Sequence, residues 1–453
     1  MLPIVTPEEM REIDATSGVE TDVLIERAGA AVSRTAVRMM GGTYGRRVVV
    51  LAGKGNNGRD GRVAARRLHD RGVQVKVVDA AGLPDPLPEC DLVIDAAYGT
   101  GFSGEWCPPE SGDARVLAVD IPSGVDGLTG HVGSGVLGAE RTVTFAALKP
   151  GLLFPPGSSY CGVLELADIG LATRHASAHL VQGSDVREWW LPRPVDAHKW
   201  RAGVAMIAGS PGMTGAAHLC ADAAMHAGAG IVHLAAPGLS FDHGAPQEVV
   251  RRSLPALGWA TDALGMLDRF RAVVLGPGLG RDDGTAAEAR RIAVEAPRPL
   301  VLDGDGLFAV AWSEEGAGRL LRARVAPTVL TPHDGEYTLL TGDRPPADRM
   351  LAARRLAADT ASVVLLKGAA SVIAHPGGDV LVVGVGDERL ATAGTGDVLA
   401  GIVGAFLAQG MPPFEAAAAA AWVHGQAGRL GSPVGLVAGD LPPLVPKVLE
   451  QLQ

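Results

Sequence analysis

Short apolar segments alternate with amphipathic segments along most of this sequence, and the alternation runs through the chain twice. In the first half, strand-like segments lie at residues 47–52, 73–79, 92–96 and 116–121, with helical periodicity at 8–14, 22–40 and 60–71. In the second half, strand-like segments lie at residues 204–209, 230–235, 272–275, 299–303, 328–331 and 363–367, with alanine-rich helices between and after them. Such alternation predicts buried parallel strands covered by helices. We therefore predict an α/β fold in both halves.

The length of the chain favours two domains. A single hydrophobic core usually stops growing at about 250–300 residues, and this chain has 453. The alternating pattern breaks at residues 183–198, where two prolines and charges of both signs interrupt it. We therefore predict one domain over residues 1–183 and a second over residues 184–453.

Composition excludes several classes of protein. The formal net charge of -10 argues against a nucleic-acid partner, which needs a basic surface. The longest apolar run, residues 398–408, is shorter than the roughly 18 residues of a membrane span, and no basic-then-apolar leader opens the chain. The four cysteines form no CxxC pair and no zinc spacing, which suits a reducing compartment. The expectation is a cytoplasmic protein without a membrane partner.

A glycine-rich loop, GKGNNGRDG at residues 53–61, follows the first predicted strand and precedes a helix. Free main-chain N–H groups at such a turn suit a phosphate. The loop is neither a Walker A motif nor a GxGxxG fingerprint, which disfavours simple NTPases and dehydrogenases. The alternative interpretation is a tight turn that requires positive φ.

Acidic residues end two further predicted strands of the first half. Asp95 is followed by AAYGTG, and Asp120 opens the segment DIPSG. Ligands bind at the carboxyl ends of parallel strands, although an isolated aspartate there is often only a helix cap. Three such loops at one sheet edge favour a binding site.

Together, the motifs GNNGxDG, D-x-x-x-GTG and DIPSG, with the opening TPEEMREID and the helix ERAGAAV, resemble the YjeF N-terminal domain. The resemblance implies a Rossmann-like three-layer αβα domain with NAD(P)H-hydrate epimerase activity. It also implies that the glycine-rich loop binds the substrate phosphate and that Asp120 contacts the substrate. The loop residues concerned are Asn56, Asn57, Gly58, Arg59 and Asp60. The family's potassium ligands correspond to Asn57, Asp95 and Ser123.

Epimerising a carbinolamine-type carbon requires an acid/base group beside the ring, and Asp120 is our candidate for that role. Arg59 stands where the family usually has glycine, and residues 101–115 form a shorter stretch than usual. Two interpretations of Arg59 remain open: it reaches a phosphate, or it crowds the loop.

Polar and glycine-rich loops also follow the predicted strands of the second half. They are AGSPGMTGAA at residues 208–217, GPGLG at 276–280, DGDGL at 303–307 and TPHDGE at 331–336. Carboxylates gathered at one sheet edge suit Mg²⁺ held through Glu336 or through water, whereas no HExxH or paired-histidine spacing indicates zinc. The alternatives are connecting turns and a structural role for His333.

The most informative segment of the second half is AGTGDVLAG, residues 393–401. Its glycine amides open a helix, and Asp397 projects from the first turn. This arrangement suits phosphoryl transfer, because amides stabilise the migrating group while the carboxylate takes a proton from the attacking hydroxyl. The alternative is an ordinary helix start in which the dipole favours aspartate.

GTGD before an alanine- and leucine-rich helix resembles the ribokinase-like superfamily. The ordered set HK, GS-x-x-x-TGAA, GPGLG, DGDGL, TPHDGE, LKGA and GTGDVLAG is similar, more narrowly, to NAD(P)H-hydrate dehydratases. The resemblance implies a ribokinase-like α/β domain that uses ADP, with ATP as an alternative, and Mg²⁺. The implied substrate contacts are Ala217, Gly278, His333 and Asp397. The implied nucleotide contacts are Lys367, Gly368, Ala369, Ala370, Ser371 and Gly396.

These resemblances imply a bifunctional repair enzyme for NADHX and NADPHX, the hydrated forms of NADH and NADPH. One domain would interconvert the R and S hydrates. The other would phosphorylate the S form with ADP and release AMP, phosphate and the restored cofactor. A cytoplasmic homo-oligomer is also expected. The alternative is a ribokinase-like kinase of a vitamin precursor with a non-catalytic N-terminal binding module.

Overall fold

The computed structural model describes residues 1–102, 104, 106–190, 192–239 and 244–452. Within this part of the chain, no helix is both long and apolar enough to cross a membrane. The chain divides into two compact units, Leu2–Ala178 and His179–Gln453.

The first unit contains a six-stranded sheet that is parallel throughout, with strand order β3-β2-β4-β5-β6-β7. The strands of this unit are β1 (Leu2–Ile4), which lies outside that sheet, and β2 (Arg47–Ala52), β3 (Gln74–Asp79), β4 (Leu92–Ala96), β5 (Arg115–Val119), β6 (Arg141–Phe145) and β7 (Val163–Ala167). The helices of this unit are α1 (Pro7–Thr16), α2 (Thr21–Met40) and α3 (Asn56–His69). The four strands predicted for this half are present, but β3 is mostly exposed rather than buried, because it lies at the sheet edge.

Among the described residues of this unit, α-helices pack on one face of the sheet. Side chains such as Val48 and Val50 pack against α2 and α3. The alternate side chains, such as Val49 and Leu51, pack against loop residues that include Leu87 and Trp106. Loops such as those that carry Leu87 and Trp106 therefore form the layer on the second face of this parallel α/β sheet. The connections that cover the second face are rich in proline, which interrupts helices.

The second unit is built on a larger sheet with strand order β8-β17-β16-β15-β14-β13-β12-β9-β10-β11. Its strands are β8 (Ala178–Leu180), β9 (Gly203–Ile207), β10 (Ile231–Pro237), β11 (Val250–Leu254), β12 (Ala272–Leu275), β13 (Leu300–Leu302), β14 (Thr328–Leu330), β15 (Val363–Leu366), β16 (Ser371–Ala374) and β17 (Val380–Val383). Strands β9 to β15 pair in parallel, whereas β15, β16 and β17 form an antiparallel meander that the pattern of alternation did not predict.

Eleven α-helices surround this sheet in the described residues. They are α4 (Gly183–Trp189), α5 (Thr214–His226), α6 (Ala260–Gly265), α7 (Asp283–Glu295), α8 (Asp305–Ala311), α9 (Ala317–Arg322), α10 (Asp334–Thr341), α11 (Arg349–Thr360), α12 (Thr395–Ala408), α13 (Pro413–Leu430) and α14 (Val445–Glu450). The alanines at residues 416–421 are buried in α13. Helix α12 approaches α5 so closely that a β-carbon at Gly401 would lie 2.1 Å from the carbonyl oxygen of Cys220.

The α/β class predicted for both halves is confirmed. The second unit begins at His179 rather than at the predicted Ser184. The reason is that β8 lies beside β17 in the sheet of the second unit, whereas the change in composition comes only after that strand.

Candidate active sites

The first unit has a cavity of about 1090 Å³ at the carboxyl ends of its parallel strands. Residues from the glycine-rich loop, from the ends of β4 and β5 and from α1 line it together, as the prediction of converging loops requires. The polar side chains in its lining include Asp14, Asn56, Asn57, Asp60, Asp120 and Lys149.

Close main-chain approach explains the glycines of the first loop. A β-carbon at Gly53 would lie 1.9 Å from the carbonyl oxygen of Ala97, and one at Gly58 would lie 1.9 Å from that of Gly53. Neither residue has positive φ, so the tight-turn alternative does not account for them. The loop instead packs against the start of α3, with main-chain groups beside the cavity.

Arg59 forms an exposed ion pair at the start of α2. Its guanidinium pairs with Asp22 at 2.5 Å, and both side chains are well exposed. Arg59 does not line the cavity, whereas its neighbours Asn56, Asn57 and Asp60 do. In this structure Arg59 therefore lies outside the cavity lining, and its contact with a substrate phosphate stays a prediction.

A buried ion pair that the motifs did not indicate lies at the cavity floor. The Nζ atom of Lys149 lies 2.5 Å from Oδ1 of Asp120, and the hydroxyl of Thr144 donates to the same oxygen at 3.0 Å. Burial, followed by the nearby charge of Asp120, raises the pKa of Asp60 to about 8. The sequence does contain a signal for Lys149, because it is the one charged residue between Arg141 and Glu165.

Asn57, Asp95 and Ser123 meet in the structure. Ser123 donates to both carboxylate oxygens of Asp95, from its hydroxyl at 2.6 Å and from its main-chain nitrogen at 2.8 Å. Asp95 is completely buried, which raises its pKa. The Nδ2 of Asn57 donates to the carbonyl of Tyr98, but its buried Oδ1 has no hydrogen-bond partner in the described part of the chain. Ser123, which bonds Asp95, also donates to the carbonyl of Tyr98 that Asn57 contacts, and this set of buried oxygens fits a cation that prefers oxygen ligands.

In the second unit, the first two glycine-rich loops contact each other. The Ser210 hydroxyl donates to the carbonyl of Gly278 at 3.0 Å. A β-carbon at Gly278, where φ is +62°, would lie 2.5 Å from the carbonyl oxygen of Met213. Ala217 lies in the first turn of the helix that follows the first loop and is buried. Ala217 and Gly278 therefore belong to one wall of the site.

Asp303 and Asp305 have separate partners. Asp303 accepts from Lys367 Nζ at 2.9 Å and from the Thr331 hydroxyl at 2.7 Å. Asp305 accepts from the main-chain nitrogen of Gly280 at 2.9 Å and from Arg281 at 2.6 Å. Only Asp303 therefore faces the lysine.

Lys367 is surrounded by acidic groups. Besides Asp303, the carboxylate of Glu336 lies 3.5 Å from its Nζ. Burial alone would lower the pKa of Lys367, but the two carboxylates outweigh it and the pKa is raised. A β-carbon on Gly396 would lie 3.4 Å from the same Nζ, so Lys367 also reaches the GTGD turn. Residues 367–370 form the turn between β15 and β16, and Ser371 begins β16.

Asp397 lies in the first turn of α12, after Gly394, whose φ is +94°. Its pKa is raised to about 7, mainly by burial and then by the charge of Asp303, whereas Lys367 acts in the opposite direction. His424, which belongs to none of the sequence motifs, hydrogen bonds with the main chain of Thr395, and burial lowers its pKa to about 4. A neutral histidine therefore supports the turn that carries Asp397.

His333 is the N-cap of α10. Its Nδ1 accepts from the main-chain nitrogens of Gly335 and Glu336, and the carboxylate of Glu336 accepts from the main-chain nitrogen of His333. More than half of the His333 side chain is exposed. The structural role that the sequence left open is thus present, and the other ring nitrogen, Nε2, lies 3.6 Å from the Glu336 carboxylate.

No group of three or more His, Cys, Asp or Glu side chains is arranged for a metal ion within the described residues. The carboxylates of Asp303 and Glu336 already contact Lys367. Mg²⁺ is usually bound through one or two carboxylates and substrate phosphates, with several waters retained. The site therefore fits an ion that comes with a nucleotide and meets Glu336 through water, rather than one held by protein ligands alone.

Two protein families match this chain in succession. The family described as YjeF-related protein N-terminus matches residues 21–85 and 79–151. The family described as NAD(P)H-hydrate dehydratase matches residues 204–447. The matched segments contain the loops that line the two sites.

Curated relatives match this chain over nearly its whole length. The bifunctional NAD(P)H-hydrate repair enzyme Nnr of Moorella thermoacetica is 36% identical over 99% of this chain and 97% of its own length. The enzyme of the same name from Mycobacterium leprae is 36% identical over 98% of this chain and 96% of its own length. A crystal structure of the ADP/ATP-dependent NAD(P)H-hydrate dehydratase of Bacillus subtilis, co-crystallised with ATP/Mg²⁺, is 28% identical and covers 60% of this chain and 98% of its own, with a TM-score of 0.52. The chain therefore belongs to the family of bifunctional NAD(P)H-hydrate repair enzymes.

Proposed function

We propose that the first unit interconverts the R and S hydrates of NADH and NADPH, and that the second unit dehydrates the S form at the expense of ADP. The observation that carries the proposal is the position of Asp397. It lies in the first turn of α12, near Lys367 and Asp303, with a pKa raised to about 7. A carboxyl group with such a pKa can take up a proton near neutral pH, as an attacking hydroxyl requires.

In the second unit, Asp397 takes the proton of the hydrate hydroxyl while this oxygen attacks the terminal phosphoryl group. The main-chain amides of the GTGD turn stabilise the negative charge that develops on that group. The proposed substrate contacts are Ala217, Gly278, His333 and Asp397. The proposed nucleotide contacts are Lys367, Gly368, Ala369, Ala370, Ser371 and Gly396. Lys367 contacts Asp303 and approaches Gly396 at the start of α12, the helix that carries Asp397.

Phosphorylation converts the poor leaving group of the hydrate into a good one. Loss of phosphate then restores the reduced nicotinamide ring, and AMP is the second product. Mg²⁺, when bound, neutralises phosphate charge. The relative from Bacillus subtilis supports the use of ADP or ATP with Mg²⁺. We propose ADP as the natural phosphoryl donor and ATP as an alternative.

In the first unit, Asp120 is the proposed acid/base group and Asn56 to Asp60 the proposed substrate-binding loop. Gly58 contributes main-chain groups only, and the exposed side chain of Arg59, which pairs with Asp22 in this structure, is a proposed contact for the substrate phosphate. A cytoplasmic location and a homo-oligomeric state complete the proposal.

Recovery of NADH from its hydrates tests the proposed function. The protein is incubated with purified S-hydrate, Mg²⁺ and either ADP or ATP, and the absorbance of the reduced ring is followed. We expect recovery that depends on the nucleotide, and recovery from R-hydrate that is faster than its spontaneous epimerisation. No recovery with either nucleotide, together with formation of a stable phosphorylated vitamin precursor, would favour the kinase alternative.

The dehydratase rate is expected to rise with pH through about 7. Asp397 must be ionised to accept the proton, and its pKa is raised to about 7. Below this pH the rate should decrease with each pH unit, approaching a tenfold decrease per unit, and above it the rate should level off. The measurement is kcat with S-hydrate and saturating ADP from about pH 5.5 to 9. A rate that does not change across this range would contradict the assignment of Asp397 as the base.

Potassium is expected to activate the epimerase step. We propose that Asn57, Asp95 and Ser123 hold the ion, because Asn57 Oδ1 is buried without a partner in the described structure and Asp95 is a buried carboxylate. In Ser123→Ala, Asp95 loses a hydroxyl donor at 2.6 Å, and the apparent affinity for K⁺ should fall by about 10- to 100-fold. Epimerase rates are measured in KCl and in NaCl at equal ionic strength. Equal rates in the two salts would exclude a specific potassium site.

A further inference from the structure

Lys149 uses all its hydrogen-bonding capacity inside the protein. Its Nζ donates to Asp120 Oδ1 at 2.5 Å, to the Thr144 hydroxyl at 3.0 Å and to the carbonyl of Phe145 at 3.1 Å. An ammonium group has three donors, so none remains for a substrate. The residue is 1% exposed. Lys149 therefore has no donor left for a substrate, and among the described residues its one side-chain carboxylate partner is Asp120.

The two carboxylate oxygens of Asp120 have different surroundings. Oδ1 accepts from both Lys149 and Thr144, whereas no hydrogen bond to Oδ2 is made by the described residues. The Asp120 side chain lines the cavity and is 17% exposed. Its backbone has a φ of +66° and is held by a 2.7 Å bond from its nitrogen to the carbonyl of Val143. One oxygen is thus anchored and the other is available.

We propose that Lys149, together with Thr144, is a positioning residue for epimerisation: the two side chains hold Asp120 Oδ1 so that Oδ2 exchanges the proton with the substrate. This inference rests on the proposed epimerase function. It deepens that function by assigning the reacting oxygen and the two side chains that orient it.

The proton transfer balances within one turnover. Oδ2 takes the proton of the hydrate hydroxyl, and the O–H electron pair forms a carbonyl as the bond between that carbon and the ring nitrogen breaks. The electron pair of this bond moves to the nitrogen, where conjugation with the carboxamide-bearing part of the ring stabilises it. After rotation, the nitrogen attacks the other face of the carbonyl and Oδ2 returns the proton. The composition of the substrate does not change, and no further reactant is required.

The position of Oδ2 decides the efficiency of both proton transfers, because general-base catalysis requires a direct hydrogen bond to the proton that moves. Asp120 has only two side-chain torsions, and fixing Oδ1 at two points restricts both. A purely structural role for Lys149 would instead affect folding without changing the turnover of the folded protein.

Thr144 offers the sharper test, since Thr144→Val keeps the shape of the side chain and removes only the hydroxyl. We expect Thr144→Val to lower kcat for conversion of R- to S-hydrate by about tenfold with little change in KM, as the loss of one hydrogen bond to a charged group predicts. Thr144→Ser, which restores the hydroxyl, should recover most of the rate. Thr142→Val is the matched control, because Thr142 is buried in the same strand and donates to the carbonyl of Cys161 instead.

Lys149→Met and Lys149→Arg test the same inference on the lysine. Lys149→Met should lower kcat more than Thr144→Val does, and Lys149→Arg should retain an intermediate rate. Thermal unfolding of each variant shows whether it is folded. If Lys149→Met does not fold, the Thr144 variants alone test the positioning role. Wild-type kcat in folded Thr144→Val and Lys149→Met would overturn the inference. Absence of epimerase activity in the wild-type protein would instead contradict the proposed function itself.

Discussion

Replacing Asp397 with asparagine is expected to reduce dehydration of S-hydrate by about 10²- to 10⁴-fold, the usual contribution of a positioned general base. The substitution keeps the shape of the side chain and removes its ability to accept the proton. It also removes a negative charge near Asp303, so the stability of the second unit should not decrease. The loss should appear in kcat, measured with saturating ADP, Mg²⁺ and S-hydrate.

The same variant contains its own control, because the first unit should continue to interconvert the two hydrates. Asp262→Asn, at an exposed position in the first turn of α6, controls for the change of charge in the second unit. Dehydration at the wild-type rate in Asp397→Asn would show that Asp397 is not the base, and the GTGD turn would then have a binding role only.

Replacing Asp120 with asparagine is expected to reduce epimerisation by a similar factor, about 10²- to 10⁴-fold. The amide cannot accept the proton, and it leaves the buried ammonium of Lys149 without its carboxylate partner. Loss of one partner of a buried ion pair typically costs about 3–5 kcal/mol, so a lower midpoint of thermal unfolding is also expected for the first unit. The measurement is the rate of interconversion of separated R- and S-hydrates.

In this variant, recovery of NADH from S-hydrate should remain at the wild-type rate, whereas recovery from R-hydrate should fall to the spontaneous rate of epimerisation. Asp113→Asn, at an exposed position before β5, is the charge-matched control. Fast recovery from R-hydrate in folded Asp120→Asn would show that another group of the cavity moves the proton.

The alternation of apolar and amphipathic segments was sufficient to predict the α/β class and most of the parallel strands. Residues 47–52, 92–96 and 272–275 form strands with the bounds that the sequence indicated. Parallel strands place their carboxyl ends at one sheet edge, so the loops after them converge whatever the details of packing. For that reason the sequence alone was enough to assign Asp95, Asp120 and Asn57 to one edge of the first sheet.

Features that depend on tertiary packing were not predictable in the same way. In the part of the first unit that the structure describes, the α-helices cover one face of the sheet, and β3 lies at its edge, because strand order and layer composition are set by contacts between distant segments. The antiparallel meander of β15, β16 and β17 also escaped prediction, since short apolar strands do not encode the direction of their partners.

By itself, the sequence determined the secondary-structure pattern, the glycine-rich loops and the aspartates that end the strands, because these features depend on neighbouring residues. The tertiary structure alone decided the ionisation and the orientation of these aspartate side chains. Lys367 and Asp303 are 64 residues apart in the chain, yet their side chains are 2.9 Å apart and affect the pKa of Asp397. Lys149 likewise has its role only because folding brings it to Asp120. Electrostatic energies depend on distance and burial, and both quantities exist only after the chain has folded.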